Sequence, residues 1–144
     1  MNKNTYESDK TDNTDASSRE SGLPLLPYDI VDIHAHFFPH RWFESVWSFF
    51  EKHNWRINYK GTNDELVARL RGFGVSHFTV LNYLHKPGLR DGLAEWTRRF
   101  ASAHPGALPF GTLYPGEEGN LEAARRWFEE WGFLGLKIQP LVSR

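Results

Sequence analysis

The chain has 144 residues, a formal net charge of -1, 40% hydrophobic residues and no cysteine. That is enough apolar material for one domain with a core, and it excludes a wholly disordered polypeptide. The near-neutral charge excludes a general attraction to nucleic acid or acidic lipid, and the lack of cysteine excludes a disulfide framework and a thiol nucleophile.

Residues 1–22 are predicted to be a disordered tail. The first 21 positions carry Met1, Tyr6 and Ala16 as their only hydrophobic side chains, among three basic and five acidic residues. Such a segment buries too little surface to offset its ordering entropy. It contains no apolar stretch of the kind a secretory leader needs, and no run in the chain approaches the roughly 18–20 residues that span a bilayer. A cytoplasmic protein with no membrane or nucleic-acid partner is the expectation. Residues 23–144 are then the folded unit.

Strands and helices alternate from residue 28 onward. Residues 28–33 form a short β-branched run, read as the first strand. Pro39 and His40 open a helix to about His53, with Phe43, Val46, Trp47 and Phe50 on one face. Residues 55–60 read as a short extended piece. Thr62 and Glu65 have capping-box spacing before Leu66, Val67, Leu70 and Phe73, with a stop near Gly72 and Gly74. Residues 76–83 make the second strand. Leu89, Leu93, Trp96 and Phe100 mark the next helix, which ends before Pro105. Residues 107–113 make the third strand. Leu121, Ala124, Phe128 and Trp131 stripe another helix, closed by Gly132, and residues 134–139 make the fourth strand. Strand–helix alternation predicts a parallel sheet covered by helices, either doubly wound or part of a (β/α)8 barrel. No phosphate-cradling glycine motif follows any strand, which removes support for a nucleotide site.

The chemistry is concentrated at the end of the first strand. In Val31-Asp32-Ile33-His34-Ala35-His36, alternate side chains share a face. Asp32, His34 and His36 are expected on one side. Val31, Ile33 and Ala35 are expected to pack against helices on the other. Two imidazoles about 7 Å apart along a strand can converge on one metal ion, with Asp32 one layer deeper to orient a ring. The competing reading is a pair of histidines satisfied within a polar strand end.

The stretch VDIHAHFFP resembles the first-strand motif of the amidohydrolase-related family, within the amidohydrolase superfamily. LNYLHKPG and GFLGLKIQP resemble later barrel strands of that family more softly. Its members are metal-dependent (β/α)8 barrels, among them hydrolases and aromatic-acid decarboxylases. The resemblance implies that His34 and His36 bind a divalent metal, usually zinc. It also implies that further ligands and a base lie on strands beyond the fourth. The chain ends at Arg144, after about four β/α units, so it is expected to be an N-terminal half of such a barrel, feebly active or inactive alone. Gln139 stands where many relatives carry a histidine.

Tyr83, His85 and Lys86 follow the second strand and are candidate contacts for a small carboxylate-bearing substrate, or ordinary polar loop residues. Lys137 and Gln139 share parity on the fourth strand and are candidate inward contacts, with a structural Lys137–Asp32 ion pair as the alternative. No catalytic base is assigned. A TatD-like or PHP-type phosphoesterase also begins with such a histidine pair. A non-catalytic half-barrel associating with a second copy or a complementing chain is the third reading, because open strand edges and exposed apolar faces seek partners.

Overall fold

The computed structural model describes residues 28–140; the predicted tail lies outside the described residues. Eight elements follow in order. They are β1 (Ile30–Asp32), α1 (His40–Lys52), α2 (Asn63–Gly72), β2 (Val75–Val80), α3 (Arg90–Ala103), β3 (Ala107–Thr112), α4 (Asn120–Glu129) and β4 (Gly135–Lys137). All three strand pairings are parallel and the sheet order is β1-β2-β3-β4. The result is a mixed α/β fold whose four strands curl into a half-barrel. No helix among the described residues is long and apolar enough to cross a membrane.

The core lies between the sheet and its helices. Phe37, Phe78 and Phe100 pack ring to ring, joined by Ala35, Val75 and Val80. Leu66, Val67 and Leu70 of α2 close over this cluster, on the apolar spacing that the sequence displays. The Thr62–Glu65 capping box is formed, with the Glu65 main-chain N–H donating to Thr62 Oγ1 at 3.2 Å and the Thr62 N–H to Glu65 Oε2 at 2.7 Å. A second cluster joins Ala94 of α3 with Ala123 and Trp127 of α4 and with Phe133.

Two close approaches set the parity of the later strands. A Cβ on Gly111 would overlap the Trp127 ring, so Gly111 faces α4. Phe110 and Thr112 therefore face the opposite, concave side. A Cβ on Gly135 would overlap the Phe110 ring, its register partner, so Gly135 and Lys137 also face the concave side.

Several expectations need correction. Regular β1 stops at Asp32; the chain bends at Ile33 and His34 and returns to the sheet only through a bridge between His36 and Leu81. Strict alternation through the histidine motif therefore fails. Ala35 is buried, but Val31 is 49% and Ile33 76% exposed. Val31 pairs with the exposed His77, whereas Asp32 pairs with Phe78 of the helix-facing core, so the expected parity of β1 is reversed. Residues 55–60 form no strand. The buried face of α4 is Ala123, Ala124 and Trp127, whereas Leu121 and Phe128 lie in solvent. The small alanines let α4 approach closely and bury the indole, which outweighs a stripe of larger residues. Leu136 and Ile138 face outward as their parity requires, yet stay exposed.

Candidate functional site

The C-terminal ends of parallel strands point to one rim of the half-barrel, where such folds build sites. His34 and His36 meet there, with ring centroids 5.0 Å apart and planes at 65°. The bend at Ile33 and His34 is held locally. The His34 main-chain N–H donates to Asp32 Oδ1 at 2.9 Å, so Asp32 supports the motif through the backbone rather than through an imidazole.

His36 is tied to the neighbouring strand's exit. Its Nδ1 lies 3.2 Å from the Leu81 carbonyl oxygen. A carbonyl can only accept, so Nδ1 carries the hydrogen and Nε2 keeps its lone pair. Such a bond is the usual means of fixing a ligating histidine's tautomer. Phe38 stacks 6.3 Å away and Tyr83 meets the ring edge-on at 5.9 Å. Partial withdrawal from water lowers the His36 pKa below its ordinary value. The Leu81 hydrogen bond opposes this, the charges of His34 and Lys137 reinforce it, and Asp32 opposes it. The ring is thus held toward its neutral, ligand-competent form.

A cavity of about 510 Å³ opens beside the pair, lined by His34, His36, Tyr83, Lys137 and Gln139, with Phe50, Trp55 and Ile57 as an apolar wall. The structure thus brings together five residues singled out from the sequence. Lys137 forms no ion pair with another described residue, and Asp32 is engaged with His34 instead. Burial pushes the Tyr83 phenol up to about 12, so it remains a hydrogen-bond donor at neutral pH. His85 and Lys86 do not join the cavity. Both are exposed, and His85 meets the edge of the Trp42 ring instead.

The apolar wall went unrecognised in the sequence. Phe50 was marked only as the end of the helical stripe of α1, and Trp55 and Ile57 lie in irregular chain with no periodic signal. A second cavity of about 340 Å³ lies between α1 and α2, bordered by Trp47, Tyr59 and Arg69 and reaching His36 and Tyr83. The Arg69 guanidinium lies 4.7 Å from the centre of the Tyr59 ring.

The donor set fits a divalent ion in part. A pair of imidazole side chains suits a borderline cation such as zinc, which takes nitrogen ligands readily. Among the described residues no group of three or more His, Cys, Asp or Glu side chains could hold a metal. A catalytic zinc uses three protein ligands, so the pair is short by at least one. Compared with known proteins, the chain matches no family model, no curated protein and no solved structure.

Proposed function

We propose that this chain supplies the opening half of a (β/α)8-type, metal-dependent site that hydrolyses or decarboxylates a small carboxylate-bearing substrate. One observation carries the reading. The His36 ring is fixed through Nδ1, with Nε2 free, beside His34 and over a cavity that also holds Lys137. A bound divalent cation, zinc by its donor set, supplies Lewis acidity toward a carbonyl group or a water.

The chain's own residues do the rest of what is on hand. Lys137, without an ion-pair partner among the described residues, offers its positive charge to a substrate carboxylate. The protonated Tyr83 hydroxyl offers a donor. Phe50, Trp55 and Ile57 give the cavity an apolar wall against which the non-polar part of a small substrate can rest. No base is assigned among the described residues, so the chain by itself is expected to turn over feebly or not at all.

Zinc binding tests the reading directly. Titration of the wild-type chain should give a stoichiometric site, and His34→Ala or His36→Ala should weaken it at least tenfold. Equal zinc content in wild type and both variants would remove the ligand assignment.

A further inference from the structure

We infer that the cavity between α1 and α2 binds a fatty-acid-like monoanion, with the hydrocarbon body inside and the carboxylate on Arg69 at its border. This site is separate from the cavity that holds His34 and Lys137, and it needs no metal.

The apolar face of α1 is the starting point. Phe43, Val46, Trp47 and Phe50 recur at helical spacing, yet no α1 residue joins either buried cluster, and Phe43 alone is fully buried. The face looks instead onto a cavity of about 340 Å³. One wall is a continuous row of rings. Tyr83 meets Phe38 at 5.0 Å, Phe38 meets Phe43 at 5.7 Å and Phe43 stacks on Trp47 at 5.1 Å. Leu66 and Leu70 of α2 add to the lining. Apolar cavities of roughly 150 Å³ stay dry and take up small hydrocarbons. Sites for small ligands begin at about 300 Å³. Phenyl, indole and aliphatic walls leave a buried hydroxyl or amide short of partners, at a desolvation cost, so an unsubstituted hydrocarbon body is favoured.

Charge selects the head group. Arg69 and Asp32 carry the formal charges on this lining. Asp32 already accepts the His34 main-chain N–H, and its own charge disfavours an anion beside it. Arg69 forms no ion pair with another described residue. Its guanidinium lies 4.7 Å from the centre of the Tyr59 ring. Stacking occupies the face of the guanidinium and leaves its in-plane N–H edge, a fork that matches a carboxylate. Arg69 and Tyr59 are both exposed, so the head group stays at the water boundary while the hydrocarbon is buried.

Octanoate titrated into the wild-type chain in chelator, followed by methyl NMR and calorimetry, tests this. The expected result is a single saturable site with methyl shifts at Val46, Leu66 and Leu70. Arg69→Gln, a change at an exposed position, should weaken octanoate about threefold or more and leave octanol binding unchanged. Val46→Phe, which adds a ring to the lining, should weaken both ligands alike, with circular dichroism to confirm the fold. Octanoate that does not saturate the wild type would overturn the inference. So would an equal effect of Arg69→Gln on octanoate and octanol. Loss of octanoate binding in Lys137→Gln but not in Arg69→Gln would put the ligand in the histidine cavity and overturn the assignment. Each of these outcomes is independent of the zinc titration, which tests the metal reading by itself.

Discussion

The His36 imidazole is anchored to the main chain of the adjacent strand's exit, with Nδ1 3.2 Å from the carbonyl oxygen of Leu81. This bond decides which nitrogen is free to bind. Nitrogen-15 spectra of the metal-free protein should show His36 protonated at Nδ1 and bare at Nε2 near pH 7. Its midpoint should lie below the ordinary 6.5, first because of burial, and Lys137→Ala should move it upward. A bare Nδ1 would contradict the orientation of the whole site.

Tyr83 provides a second titration. Its pKa is raised from 10.0 to about 12 by burial. Ultraviolet titration should find one tyrosine ionising well above the others. The unfolded chain releases that proton near the ordinary value and the folded chain does not. The contribution to stability is therefore present below pH 10 and is lost as pH climbs toward 12. Phe38→Ala, which removes the ring 5.0 Å from Tyr83, should admit water and bring the value down. An unshifted phenol in the wild type would refute the burial argument.

Thr62→Ala should destabilise the protein by about 1 kcal/mol, since it removes the side-chain half of the α2 capping box. Leu66, Val67 and Leu70 pack against the core but no residue of α2 is fully buried, so this packing compensates only in part. Chemical denaturation measures the effect; a loss too small to resolve would mean that tertiary contacts hold the helix start.

Trp127→Ala should cost about 3–5 kcal/mol, because the indole is completely buried against Gly111 and Phe133. Gly111→Ala should cost about 1–3 kcal/mol through overlap with the same ring. Combined, the two should cost clearly less than their sum, since removing the indole makes room for the new methyl. Strict additivity would place the two residues out of contact.

Much of the fold was legible because its signals are local. Strand–helix alternation, the Thr62–Glu65 box and the aromatic face of α1 each depend on neighbours a few residues apart. The histidine pair was legible for the same reason, as was the inward parity of Lys137. The reading failed where a partner had to be present. Val31 and Ile33 are apolar and read as a helix-facing stripe, but the register shift at the start of β1 gives the helix side to Ile30 and Asp32 and leaves Val31 and Ile33 exposed. Leu121 and Phe128 follow helical spacing, yet Ala123 and Ala124 allow the closer approach and take the buried face.

The sequence by itself determined the alternation of elements, the caps and the chemical types at the rim, since these follow from backbone periodicity and short-range hydrogen bonds. Only the tertiary structure decided which imidazole nitrogen is free, and that Phe50, Trp55 and Ile57 wall the cavity. It alone decided that Asp32 serves the His34 backbone instead of Lys137. Those outcomes depend on the bend after β1 and on the register between β1 and β2. The bend is held by the Asp32–His34 hydrogen bond, whereas the register runs beside the Phe37–Phe78–Phe100 cluster and joins residues far apart in the chain.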